Sequence, residues 1–106
     1  MPIHHVKSSA EFQKLINEKS HKAIIVKFTS SGCAACQHIK QTYEELSIIH
    51  KNVNFLKVYV NELHEVSSKN GVRAMPTFQV FENGKKVKEI VGANKDNLIN
   101  LIKHYD

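Results

Sequence analysis

Residues 23–36 read Ala23-Ile24-Ile25-Val26-Lys27-Phe28-Thr29-Ser30-Ser31-Gly32-Cys33-Ala34-Ala35-Cys36. The first seven are nearly all apolar or β-branched, as a strand buried on both faces requires. Ser30-Ser31-Gly32 supplies a turn. Ala34 and Ala35 are strong helix formers, and Ile39, Tyr43, Leu46 and Ile49 carry an apolar stripe to about His50. Downstream, Val53–Val60 reads as a second buried strand. Strand, helix, strand implies a parallel pair joined by a right-handed crossover.

Working outward, Ile3–Val6 reads as a short first strand, and Ser8-Ser9-Ala10-Glu11 fits a capping box, with Ser8 as N-cap and Glu11 at N3. Phe12, Leu15 and Ile16 follow at helical spacing. Asn61 is the expected cap of a short helix carrying Leu63 and Val66 and ending near Gly71. Thr77–Phe81 and Val87–Val91 flank Asn83-Gly84, whose residue types supply the positive φ angles of a type I′ hairpin turn. Leu98, Leu101, Ile102 and Tyr105 mark a closing helix. The predicted order is β-α-β-α-β-α-β-β-α, an α/β fold with a mixed central sheet flanked by helices.

The 106 residues suit one domain spanning 1–106. Apolar residues at 42% and charged residues at 24% describe a globular chain rather than a disordered one. The longest unbroken apolar run, Ala23–Val26, cannot cross a bilayer, so no membrane association is expected. Residues 1–8 contain no apolar signal core, which makes a cytoplasmic location the expectation. The net charge of +5 raises nucleic acid as a partner. Its only cluster is Lys85-Lys86-Val87-Lys88, which is flanked by Glu82 and Glu89 and has no interleaved aromatic residue to stack bases. A solvated basic face is the better reading.

The chain's two cysteines, Cys33 and Cys36, form one C-x-x-C at a helix start. A disulfide across so short a loop constrains little of the unfolded chain, so a structural role is the weaker reading. First-turn N–H groups and the helix dipole stabilise a thiolate at Cys33. Cys36 continues the stripe of Ile39, Tyr43 and Leu46 and should turn inward. One sulfur at the rim and one inside suit a two-step exchange: Cys33 attacks a substrate disulfide and Cys36 resolves the mixed disulfide. Residues at i and i+3 on a helix lie close enough to bridge. A zinc site needs four ligands and there is no second C-x-x-C; His38, His50 and His64 could in principle complete one, but His38 is not at a recognised finger spacing, so no metal is expected. His4, His5, His21 and His104 read as solvated surface.

The dithiol after a buried strand, Gly71-Val72-Arg73-Ala74-Met75-Pro76-Thr77, and Val91-Gly92-Ala93-Asn94-Lys95 before the last helix together make the chain resemble the thioredoxin family, of the cytosolic eukaryotic type, over essentially its whole length. The resemblance implies a thioredoxin fold with Pro76 in cis beside the dithiol, where its missing N–H leaves neighbouring backbone groups free for an extended substrate. It also implies that Gly32, Ala74, Met75, Gly92 and Ala93 help to line the substrate groove. No bound cofactor is implied. The implied electron source is NADPH, drawn through a thioredoxin reductase, and the implied substrates are proteins with disulfides. A monomer is expected.

Several positions depart from the family pattern of Trp-Cys-Gly-Pro-Cys. Gly32 replaces the tryptophan, Ala34-Ala35 replaces Gly-Pro, and Tyr59 stands where an acidic residue is common. The largest departure is Lys27, in place of a buried aspartate thought to accept the second cysteine's proton. Alternation puts Ile25, Lys27 and Thr29 on one strand face. Three roles remain open for Lys27: a neutral amine acting as base, a cation stabilising a thiolate, or a stem that snorkels to solvent. Lys57, if adjacent, would favour neutralising or expelling one of the two charges. Two functions therefore stand at this point: a disulfide reductase contributing to cell redox homeostasis and electron transport, or a binding module on the same fold, with a specialised oxidoreductase of weak general reductase activity midway between them. Turnover coupled to a reductase discriminates between them.

Overall fold

The structure, a computed structural model, describes residues 2–19 and 23–106. The elements are β1 (Ile3–His5), α1 (Ser9–Ile16), β2 (Ala23–Thr29), α2 (Ala34–Ile49), β3 (Val53–Tyr59), α3 (His64–Lys69), β4 (Thr77–Glu82), β5 (Lys85–Val91) and α4 (Lys95–Tyr105). The strands form a five-stranded sheet in the order β1-β3-β2-β4-β5. β1, β3 and β2 run parallel, β4 is antiparallel to β2, and β5 is antiparallel to β4. β2 therefore lies at the sheet centre with a strand on each side and helices over both faces, and every residue from Ala23 to Thr29 is buried.

The alternation of β2 divides the core in two. Ala23 and Ile25 pack with Ile39, Tyr43 and Leu46 of α2 and with Leu98, Leu101 and Ile102 of α4. Ile24, Val26 and Phe28 pack on the other face with Phe12 and Ile16 of α1 and Val66 of α3. Burial of each large side chain contributes on the order of 2 kcal/mol. Tyr43 is fully buried, and its hydroxyl donates to the carbonyls of Ile25 at 3.2 Å and Leu56 at 2.7 Å, fastening α2 across β2 and β3.

Local signals act largely as read from the sequence. The Ser8 hydroxyl accepts from the Glu11 N–H at 3.1 Å. The return bond differs from the expected box: the Glu11 carboxylate accepts from the N–H of Lys7 at 2.6 Å rather than from that of Ser8, and its other oxygen lies 2.7 Å from His4 Nε2. Asn83 and Gly84 adopt φ angles of 54° and 80°, and turn β4 into β5. Gly84 also packs closely against α1; its N–H donates to Ile16 O at 3.2 Å, and a Cβ there would run into the Asn17 side chain.

Asn61 does not cap α3. The helix begins at His64, with Leu63 at the N-cap and no side-chain hydrogen bond there. The backbone N–H groups of Glu62 and Leu63 instead bond to Tyr59 O at 2.9 and 3.0 Å, so a turn off the end of β3 sets the helix start. His4 and His5 are not purely solvated. His5 Nε2 lies 2.8 Å from Glu62 Oε1, and its ring packs edge-on at 4.9 Å against Tyr59. His50 Nδ1 lies 2.6 Å from Asp106 Oδ2. His104 is exposed against Tyr105, and His21 lies outside the described residues.

Candidate active site

β2 ends at Thr29, and the turn through Ser31 and Gly32 delivers Cys33 to the N-cap of α2. Cys33 has extended backbone angles, and its carbonyl accepts from the Gln37 N–H at 3.1 Å, which starts the helical ladder. Its sulfur takes the place of an oxygen cap, accepting from the Cys36 N–H at 3.1 Å. The same N–H would hold a thiolate formed at Cys33, with the helix dipole adding to the stabilisation.

Cys33 and Cys36 form a disulfide, with Cα atoms 5.2 Å apart. The two sulfur-bearing residues differ in access: Cys33 is half-buried, whereas Cys36 is 2% exposed. The cause is helical spacing. Cys36 leads into Ile39 and Tyr43 on the core side of α2, while Ala34 and Ala35 face outward.

The loop before β4 reaches the same place from 42 residues away. The carbonyl oxygen of Met75 lies 3.9 Å from Cys33 Sγ. The Met75-Pro76 peptide is cis, and Pro76 is buried. Pro76 O accepts from the Gly92 N–H at 2.8 Å, bringing the segment after β5 to the loop. Ala74 is exposed, and its carbonyl accepts from Thr77 Oγ1 at 2.6 Å. Ala93 packs against the α2–α4 side of the core. A groove of about 380 Å³ continues from Met75 past Val72 and Arg73 to His64 and Ser67 at α3.

Behind the disulfide lies a second cavity of about 260 Å³, which Gly32, Cys36 and Lys27 line together. Lys27 is 6% exposed, and its ammonium opens onto this cavity. Burial pulls its pKa down to about 8, and the charge of Lys57 pulls in the same direction. Lys27 and Lys57 are register partners on β2 and β3. Lys40 and Glu44 also line this cavity and escaped the sequence reading. The signal was available, because Cys36, Lys40 and Glu44 follow one another at i, i+4 and i+8 on one helix face. Burial also holds the Tyr43 phenol well above its usual range, so it acts as a donor. Among the described residues no three of His, Cys, Asp and Glu converge to hold a metal ion.

A bridged pair with one accessible and one enclosed sulfur, set at a helix start against a proline loop, belongs to the class of proteins that exchange thiols for disulfides. Comparison with known proteins specifies the class further. The thioredoxin family model matches residues 3–104. Thioredoxin of Equus caballus is 38% identical over 101 residues, covering 95% of this chain and 96% of that one. Thioredoxin of Homo sapiens is 38% identical over 96 residues, covering 91% of each. The solved thioredoxin of Plasmodium falciparum superposes with a TM-score of 0.92 at 38% identity, covering 97% of this chain and 99% of that one. The chain belongs to the thioredoxin family, has the thioredoxin fold, and is a thiol–disulfide oxidoreductase whose redox-active group is the Cys33–Cys36 disulfide.

Proposed function

We propose that the chain acts as a single domain over residues 1–106 that reduces protein disulfides, with Cys33 as nucleophile and Cys36 as resolving cysteine. The observation that carries this reading is the difference in exposure between the two residues. The Cys33 thiolate attacks one sulfur of a substrate disulfide, forming a mixed disulfide and releasing a substrate thiolate, which takes up a proton. Cys36, deprotonated, then attacks Cys33 Sγ and releases the second substrate thiolate. Two electrons pass to the substrate and the Cys33–Cys36 disulfide is left.

Met75, Pro76, Ala74, Gly92, Ala93 and Gly32 shape the groove that holds an extended substrate. The proximity of Met75 O to Cys33 Sγ and the bond from Gly92 to Pro76 support this assignment. Lys27 tunes the pair as a cation on the cavity it shares with Cys36; its burial and its pKa of about 8 support that role. Electrons come from NADPH through a thioredoxin reductase, with no bound cofactor, and the protein works as a cytoplasmic monomer in electron transport and cell redox homeostasis. Membranes and nucleic acid are not partners in this scheme.

A Cys36→Ser variant tests the order of events. It should accumulate substrates as mixed disulfides on Cys33, resolved by added dithiol, whereas Cys33→Ser should trap none. A folded Cys36→Ser protein that traps nothing from oxidised substrate overturns the reading. Tight partner binding by a Cys33→Ala/Cys36→Ala double variant, together with no reductase-coupled turnover by the wild type, would favour a binding module instead.

A further inference from the structure

The cavity behind the disulfide has an unusual charge arrangement. Lys27, Lys40 and Lys57 all line it, against one carboxylate, Glu44. Lys27 and Lys57 stand side by side at matched positions of neighbouring parallel strands, a placement in which like charges repel. Lys27 is 6% exposed, no described residue is seen to hydrogen-bond its ammonium, and that ammonium reaches the partly open cavity rather than being sealed off. Its described partner is the face of the Tyr43 ring, 5.4 Å away. Lys57 is held in a similar way, with its ammonium 5.7 Å from the centroid of the Tyr59 ring. An ammonium carries three donors, which need acceptors from the cavity where the protein supplies none. The cavity of about 260 Å³ offers room for several water-sized groups, each needing about 30 Å³. The hydroxyl-bearing residues Thr29 and Ser30 complete its wall.

We infer that this cavity is a binding site for a compact oxyanion, with inorganic phosphate as the simplest member of the class, held between the ammonium groups of Lys27 and Lys57. An oxyanion replaces water as the acceptor for these ammonium groups with charge-assisted hydrogen bonds, and it offsets the repulsion between the two lysines. Its oxygens are spread in space and span donors that lie farther apart than one monatomic anion can bridge. The cavity's volume of about 260 Å³ suits a small ligand over an acidic peptide. The cavity is shared with Cys36, but the test reads anion binding to the oxidised protein and not disulfide exchange, so its failure is distinguishable from failure of the function proposed above.

The test uses the oxidised wild-type protein. Inorganic phosphate is titrated against chloride at constant ionic strength and pH 7, and binding is followed by backbone amide chemical shifts. Saturable shifts should concentrate at Lys27, Thr29, Lys57 and Tyr59. Lys57→Gln and Lys27→Met should each weaken binding roughly tenfold or more, the effect of losing one charge-assisted hydrogen bond. Lys88→Gln, on the exposed strand β5, should leave it unchanged. In the complex the Lys27 ammonium should titrate at higher pH than in free protein, because the anion opposes the pull of burial and of Lys57. Shifts that do not saturate, or that persist unaltered in folded Lys57→Gln and Lys27→Met proteins, overturn the proposal.

Discussion

The ammonium of Lys27 sits 5.4 Å from the ring centroid of Tyr43, inside the wedge between β2 and α2. A cation over an aromatic face gains about 1–2 kcal/mol when it is partly desolvated. Burial acts against it and is the largest cause that pulls its pKa down to about 8. Lys57 adds to the depression, Lys40 contributes in the same direction, and Glu44 opposes it.

The first prediction follows from that balance. Below pH 8 the Lys27 ammonium is charged in both folded and unfolded chains, so the cost of holding that charge partly out of water and beside Lys57 is fully present. Between pH 8 and the unfolded value near 10.5 the unfolded chain binds the extra proton, so stability rises with pH. Lys27→Met removes both the cost and the contact with Tyr43. It should stabilise the oxidised protein at pH 7 by roughly 1 kcal/mol after solvent screening, and its advantage should vanish as the pH rises past 10.5. Urea midpoints at the two pH values check this; an equal difference at both would contradict it.

The same substitution should act on the dithiol. Removing a cation from the cavity that Cys36 lines should raise the Cys36 thiol pKa in the reduced protein. Alkylation rate against pH, read for wild type and Lys27→Met, gives the answer. Superimposable profiles would remove Lys27 from the functional set.

Tyr43→Phe should cost about 1 kcal/mol, the worth of one buried hydrogen bond. The hydroxyl is a shared donor to Ile25 O and Leu56 O, both of strands that pass beneath the site. The ring remains, so the contact with Lys27 survives. Denaturant unfolding should show the loss while disulfide exchange stays near wild type.

Gly32→Trp would restore the residue type common in the family. Gly32 has φ of 75°, a conformation that side-chain-bearing residues avoid, although a Cβ would meet no atom within 4 Å. The variant should lose about 1 kcal/mol of stability from backbone strain rather than from a clash. A stability equal to wild type would mean that the turn re-forms at negative φ.

Much of the fold was legible because its signals are local. The run from Ala23 to Thr29, the turn at Gly32 and the alanines after Cys33 each state their conformation within a few residues. Asn83-Gly84 did the same for the hairpin. The miss at Asn61 has the same logic reversed: α3 starts where the turn from Tyr59 places it, and no nearby side chain marks that point. Glu11 bonded to the N–H of Lys7 rather than Ser8 because the chain entering α1 also brings His4 to that carboxylate.

The amino-acid order alone set the strand, turn and helix that hold Cys33 and Cys36, and it put Lys27 on the same strand face as Ile25. Propensity, periodicity and capping need only near neighbours. Only the folded chain decided that Lys27 would meet Lys57, that Met75 would face Cys33 and that Gly92 would bond to Pro76. Those meetings depend on strand register and on packing between segments distant in sequence, and no short-range rule carries that information.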